Sequence, residues 1–478
     1  MALRGRISGT GSDGRERCEY KDPVLGINLY KANQDLIQGE AVIMQNCIWQ
    51  GGVRGRNGST RINPTTLGNY RIRGGHKYYY GAGSPTSKRL IAYDTKIASL
   101  SDAGTAVSLT TGMTSDLECY FATWPITDSV YISNATDTLR KYDGTTFSTV
   151  SGTAIPAARG PVVPVLDRLM AITVNGIERT NPRVDNVWSN NSSWATLRPI
   201  KPGLFTVIHP FTVRGTDTLY PGALAFQSNA FYLISGTDFG DDVTSLSPST
   251  GENGSIQLLD PNIGTASPKS VCTVPGVGVF WFTTDLNVYF MPEGSLTGRY
   301  VGDKIKATGD IPGCDAANTA ALNQVWMTYH DRKLYLGIPV GTDTFSTKQF
   351  WMDIRAFLLT DGEPVWYGPM DGQSVGCAWV ENANGDNSVY GGEGNSANGA
   401  FVYRLDVPNT FTDAVGLDDN AITGVYQTMF EDFGIPSRQK YLRGVHMDLS
   451  QDEAVASVDV YDLPGIIAQN IPLQAVTD

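Results

Sequence analysis

Val279-Phe280-Trp281-Phe282-Thr283-Thr284-Asp285-Leu286-Asn287-Val288-Tyr289-Phe290 reads as an aromatic strand, a short polar turn and a second aromatic strand. Thr284, Asp285 and Asn287 tolerate tight backbone geometry, and the β-branched and aromatic flanks favour a pleated, half-buried surface. The stretch is therefore expected to be one hairpin, and related units recur along the chain.

Tyr78-Tyr79-Tyr80 precedes Leu90-Ile91-Ala92-Tyr93-Asp94 much as Val130-Tyr131-Ile132 precedes Leu139-Arg140-Lys141-Tyr142-Asp143. Looser versions sit at Leu169–Ile172, Ala230–Ile234, the opening hairpin, Lys333–Leu336 and Val389–Asp406, which makes seven units. Tyr93 to Tyr142 spans 49 residues, as does Phe231 to Phe280. A repeat of that length with several strands per unit predicts an all-β chain folded as a β-propeller of about seven blades. One such sheet cannot bury both faces alone, and packing sheet on sheet around an axis solves this while leaving only short edges. A generic β-rich enzyme with similar-looking hairpins is the alternative.

Composition agrees with a turn-rich β protein: 478 residues, 41% hydrophobic, only 18% charged, with 52 glycines and 22 tyrosines. The start, Met1-Ala2-Leu3-Arg4-Gly5-Arg6-Ile7, has no apolar segment of secretory type, and no apolar run is long enough to span a bilayer. The six cysteines, Cys18, Cys47, Cys119, Cys272, Cys314 and Cys377, are far apart and read as free thiols of a protein made in a reducing cytoplasm. The net charge of −12 is uneven. Residues 1–96 carry 15 Lys/Arg against 7 Asp/Glu, and the remainder 21 against 41. From Ala41 to Tyr93 there are eight basic residues and no acid. Such asymmetry marks an interaction region, whereas the acidic remainder disfavours a broad nucleic-acid-binding surface.

The chain divides into an N-terminal arm with entry strands (1–65), the propeller (66–410) and a small all-β C-terminal domain (411–478). Asn57-Gly58 is a hairpin-turn signal. Asp238–Asn262 reads as a long loop or surface insertion, Asp310–Leu322 as a short helix, and Pro408–Asn420 as an acidic linker. Val458 and Val460 alternate about Asp459 as a half-exposed strand.

The entry segment and the residues after the last unit carry a resemblance. Asn46, Gly51, Arg54, Arg56 and Gly58 ahead of propeller repeats, followed by Ile422–Thr428 and Phe433-Gly434-Ile435-Pro436-Ser437-Arg438-Gln439-Lys440-Tyr441-Leu442-Arg443-Gly444-Val445, resemble β-propeller tail hub, nozzle or head–tail stabilisation proteins of tailed bacteriophages. Asn57 stands where a proline is more usual. The resemblance is one of layout and spans most of the chain. It implies a structural protein of the virion tail, made in the host cytoplasm. Its copies would form a closed, sixfold ring below the portal-side adaptor. That ring would be a conduit for genomic DNA during ejection, without sequence-specific binding, and a platform for fibres, spikes or a needle. No enzymatic activity and no cofactor are expected. Arg54, Arg56, Arg61, Arg71 and Arg73 are the candidate interface residues, because the planar guanidinium suits acidic partners on a neighbouring copy or an adaptor.

Other chemistry is weakly supported. Gly372-Gln373-Ser374-Val375-Gly376 matches a nucleophile elbow, but a strand pattern follows where the motif needs a helix, and only His446 lies downstream. His76, His209, His330 and His446 lack metal-ligand spacing, and Asn382–Asp386 lacks the closing glutamate of a calcium loop. A glycan-acting or glycan-binding propeller is the rival reading. Tyr142-Asp143-Gly144-Thr145-Thr146-Phe147 has the Asp-Gly turn of a sialidase-type box without its serine-led part.

Overall fold

The computed structural model describes residues 24–428 and 457–472, apart from 32–34, 38, 51–52, 82–85, 154, 166, 189–195, 215–218, 236–254, 308–310, 384–385 and 463–465. The chain is all-β and forms seven blades. Blade 1 pairs Ile72–Tyr80, Thr86–Tyr93, Lys96–Leu100 and Ala106–Thr111, and blade 2 pairs Tyr120–Trp124, Ser129–Ser133, Arg140–Tyr142 and Phe147–Thr149. Blade 3 has three strands among the described residues, Val163–Val165, Arg168–Thr173 and Gly176–Arg179, and Leu197 bridges to the third at Ile177. Blade 4 runs through Val207–Arg214, Leu219–Gln227, Ala230–Ser235 and Ser255–Asp260, and blade 5 through Val271–Val274, Gly278–Phe282, Val288–Pro292 and Arg299–Tyr300. Blade 6 comprises Trp326–His330, Lys333–Ile338, Lys348–Asp353 and Trp366–Met370. Blade 7 comprises Val375–Ala383, Asp386–Glu393 and Val402–Val407, and takes its fourth strand, Gly58–Arg61, from near the N-terminus.

Each blade is sandwiched, so its second strand is apolar on both faces and not alternately apolar and polar. In blade 1, Leu90 and Ala92 pack with Val130 and Ile132 of blade 2, while Ile91 and Tyr93 pack with Trp379 and Val402 of blade 7. In blade 5, Val279 and Trp281 join Leu224, Phe226 and Phe231 of blade 4, while Phe280 and Phe282 join Trp326 and Leu334 of blade 6. The opening hairpin is thus buried on both faces, where a half-buried surface was expected. Its turn is the expected one: Thr283 N–H donates to Asn287 O (2.8 Å), with Leu286 in the left-handed region at φ 62°.

All seven expected units fall on different blades, but the repeat was read out of register. Tyr93 ends a second strand and Tyr142 ends a third; Phe231 lies on a third strand and Phe280 on a second. The 49-residue spacing is therefore coincidental, because every antiparallel strand–turn–strand presents the same local pattern.

The elements outside the repeats also join the sheets. Ala41–Gln45 pairs Trp366–Met370 and is itself paired by Val425–Thr428, which extends blade 6 to six strands. With Gly58–Arg61 in blade 7, the segment expected as an arm supplies strands to both closing blades. Pro408–Asn420 is not a linker: Thr412–Val415 and Asp418–Ala421 form a hairpin against the Gly58–Arg61 strand. One compact unit ends at Phe430, and Glu431–Asp478 forms the second. In that second unit, Ser457–Asp462 pairs Ile466–Pro472, which includes the strand expected around Asp459.

Asp310–Leu322 gives short 3-10 turns at Cys314–Ala316 and Thr319–Gln324, and the α-helix among the described residues is Ile354–Leu359. Asp353 caps that helix by accepting from Ala356 N–H at 2.9 Å. Most of the segment expected as a long loop, 236–254, lies outside the described residues, and Ser255–Asp260 is the outer strand of blade 4. Cys47 is buried, and Cys119, Cys272, Cys314 and Cys377 are buried free thiols; burial pushes the Cys119, Cys272 and Cys377 thiols up to about 12. Cys18 lies outside the described residues. No helix among the described residues is long and apolar enough to cross a membrane.

Candidate functional site

The basic segment of the sequence becomes the closure of the ring. Arg56 leaves a hairpin formed by Cys47–Trp49 and Val53–Gly55 and enters the latch strand of blade 7. Its guanidinium is buried (5% exposed) and meets both carboxylate oxygens of Asp413, with Nη1 to Oδ1 at 3.0 Å and Nη2 on Oδ2. Nε donates to Asn46 Oδ1 (3.1 Å), Nη1 to Asn57 O (3.0 Å) and Nη2 to Asp371 O (2.6 Å). All five N–H donors are used, which is the condition under which a buried ion pair is tolerated. Asn46, at φ 53°, completes the knot: Oδ1 also accepts from Asp371 N–H (2.7 Å), and Nδ2 donates to Thr423 O (3.0 Å). Gly58 lies so near the hairpin that a Cβ there would stand 1.9 Å from Thr412 O.

Arg61 donates to Gly416 O (2.5 Å), pairs with Asp419 (3.2 Å) and lies over the Phe401 ring. Arg71 donates to Thr344 Oγ1 (2.9 Å) and covers Phe345; burial, and then the neighbouring Arg73, lower its pKa. Arg73 pairs with Asp116 (2.5 Å) and Glu118 (3.6 Å). Between blades 1 and 7, Lys77 and Arg89 share the buried Glu381 at 3.3 and 2.8 Å; Arg89 also reaches Asp102 and stacks on Tyr390. Lys88 donates to Tyr142 OH at 2.6 Å. The chain's own acids thus pair with Arg56, Arg61, Arg73, Lys77 and Arg89, while Arg71 and Lys88 meet neutral groups. Among the described residues Arg54 differs: it is exposed and meets no partner. Of the five candidate arginines, the structure gathers Arg56 and Arg61 at the latch and Arg71 and Arg73 near the axis, and leaves Arg54 apart. Gly51, which also carries the resemblance, lies outside the described residues.

The first strands of the blades line the axis and touch one another around the ring. At the end where they begin, Lys269 Nζ, ahead of blade 5, meets Glu118 Oε2 (2.9 Å), ahead of blade 2, and donates to Gly376 O (2.9 Å) of blade 7. Gln324 Oε1, ahead of blade 6, accepts from the same ammonium at 3.3 Å. Further along, His76 Nε2 shares a hydrogen bond with Thr123 Oγ1 (2.8 Å) between blades 1 and 2, and His209 Nε2 does the same with Thr273 Oγ1 (2.6 Å) between blades 4 and 5. Burial lowers both imidazoles to about 4. Sequence reading counted these histidines as isolated; the pairs form only when first strands of successive blades meet. His330 lines a cleft of about 380 Å³ with Tyr329, Asp331, Val380 and Asn387.

Ser374 lies where the sequence pattern put it, ahead of a strand and not a helix. Its hydroxyl donates to Glu393, a fully buried carboxylate that also accepts from Tyr403 OH (2.8 Å) and Asn395 N–H (2.8 Å). His446 lies outside the described residues, as do Asn384 and Gly385 of the candidate calcium loop, whose flanks pair as Ala383↔Asp386. Among the described residues no group of three His, Cys, Asp or Glu side chains is placed to hold a metal ion.

No family model matches the chain, and no curated protein does. Among solved structures the chain is similar to YCF48 from Cyanidioschyzon merolae, at 9% identity over 74% of this chain and 100% of that one, with a TM-score of 0.40. It is also similar to BBS1N, solved in complex with ARL6DN, at 11% identity over 74% of this chain and 99% of that one (TM-score 0.42). The computationally designed Ika8 protein matches at 10% identity over 72% of this chain and 99% of the designed one (TM-score 0.36).

Proposed function

We propose that the chain is a structural protein of a tailed-phage virion, one copy of a closed ring in the tail hub or nozzle beneath the head–tail adaptor. The sequence layout around Asn46, Arg54, Arg56 and Gly58 suggests that family. The observation that carries the assembly reading is the apolar rim of the closing blades. Phe411 and Leu417, on the hairpin clamped to blade 7, are 55% and 67% exposed, and Val425 and Tyr426 are exposed on the outermost strand of blade 6. Large apolar side chains grouped on added elements suit contact with a second copy, and a closed ring needs two different surfaces of each copy to meet. Arg54, exposed on the Val53–Gly55 strand in a chain of net charge −12, supplies a complementary charge for such a contact.

In this reading genomic DNA passes through the lumen enclosed by the copies. It does not thread the axis of one propeller, which the Lys269–Glu118 bridge crosses. Fibres, spikes or a needle attach to the ring. Purified protein should form a ring, sixfold by resemblance, visible by negative-stain microscopy and sedimentation, and should cosediment with phage particles. A strictly monomeric protein that released reducing ends from a glycan would instead favour the glycan-acting propeller.

A further inference from the structure

A second site lies on the face where the first strands begin, between blades 2 and 3. A cleft of about 520 Å³ is bounded by Ala135 at a blade 2 turn, by Ile155, Pro156 and Arg159 on the connection, and by Thr173–Glu178 at the blade 3 hairpin. Its volume falls in the range of small-molecule sites, roughly 300–1,000 Å³. At its base is Glu178, only 4% exposed. One oxygen, Oε1, accepts from Thr173 Oγ1 (3.1 Å) and Asn175 Nδ2 (3.4 Å). Among the described residues no cation pairs with this carboxylate and no donor meets Oε2, and Glu178 lines the cleft. Burying a carboxylate without a counter-charge is costly: the buried Glu40, Glu381 and Asp413 each meet a cation, and Glu393, which meets neutral donors, has both of its oxygens bonded. Asn175 must turn Nδ2 toward a group that only accepts, which leaves its Oδ1 as a further acceptor. Arg159, whose exposed guanidinium meets no partner among the described residues, lines the same cleft with the apolar Ile155, Pro156 and Val174.

We propose that this cleft binds a small aliphatic zwitterion, its ammonium on Glu178 Oε2 and its carboxylate on Arg159. A single free oxygen suits a compact ammonium better than the two-pronged guanidinium, and the apolar walls suit a methylene chain between the charges. The site is independent of ring assembly.

The test is calorimetry on the full chain with γ-aminobutyrate and ε-aminocaproate, using hexylamine and hexanoate as half-ligands. Saturable binding of one of the zwitterions is expected, tighter than either half-ligand. Glu178→Gln keeps an acceptor for Thr173 and Asn175 but turns an amide donor into the cleft, and should weaken binding about tenfold or more. Arg159→Ala should bring the zwitterion's affinity down to that of hexylamine. If Glu178→Gln does not fold, Ala157→Trp should abolish binding by filling the cleft, which the exposed Ala157 also lines. No saturable binding to the wild type, or equal binding by a folded Glu178→Gln or Ala157→Trp variant, overturns the proposal.

Discussion

Arg56 and Arg54 lie two positions apart and have opposite fates. Arg56 uses every donor inside the chain, so Arg56→Ala leaves Asp413 buried without its cation and should cost about 3–5 kcal/mol in urea unfolding. Arg54→Ala removes a solvated charge and should change stability by no more than about 0.5 kcal/mol. His76 and His209 make a pH prediction. Their folded values of about 4 lie below the ordinary 6.5, so the unfolded chain binds protons in that window and the folded chain does not. Stability should therefore fall as pH drops from about 6.5 to about 4 and lose no more from these groups below that. The His76→Gln/His209→Gln variant should show a flatter dependence of urea midpoint on pH over the same interval. An unchanged slope would mean that the two imidazoles titrate normally in the folded state.

Among the elements, the Gly58–Arg61 strand has the largest consequence for its length. It gives blade 7 its outer edge and is held from outside by the Thr412–Val415 and Asp418–Ala421 hairpin. Four residues contribute few ladder hydrogen bonds, so side chains hold the strand: Arg56 on Asp413, Asn57 on Asp406 (2.8 Å) and Arg61 on Asp419. Gly58→Ala places a Cβ against the Thr412 carbonyl and should cost about 2 kcal/mol or more. The same variant should speed hydrogen exchange in Val402–Val407, the strand left at the edge, before it affects blades 2 to 4. Uniform exchange across all blades would show that the latch does not open as a local unit.

For the whole molecule, the contrast between a basic N-terminal segment and an acidic remainder is resolved largely by bringing the two ends together. Glu381, Asp413 and Asp419 are far from Arg89, Arg56 and Arg61 in sequence and adjacent in the closed ring. The acids left over give the chain its net charge of −12, and within the basic segment Arg54 stays exposed. Arg54→Glu should leave the monomer folded, and weaken ring formation measured by analytical ultracentrifugation. Wild-type assembly should weaken from low to physiological salt, because exposed charges are screened beyond about 8–10 Å. Normal assembly by this variant would remove Arg54 from the interface and leave the apolar rim of Phe411, Leu417, Val425 and Tyr426 to account for it.

The seven units were legible in the sequence because a sandwiched blade demands short strands apolar on both faces, as Leu90–Tyr93 and Val279–Phe282 are, with turn residues between them. The strand after Ser374 was legible from its apolar run, and the strand around Asp459 from the alternation of Val458 and Val460 about it. The register of the repeat was not, since a second and a third strand of a blade look alike in one dimension. Nor were the short helix, at six residues too brief for a period to show, or the carboxylate of Glu178 opening into a cleft between two blades. The roles of Asn46, Arg56 and Gly58 were visible only as a pattern. Their partners stand as far as 377 residues along the chain, as Thr423 does from Asn46, and a pairing over that distance is chosen by closure of the ring and not by any local preference of the residues.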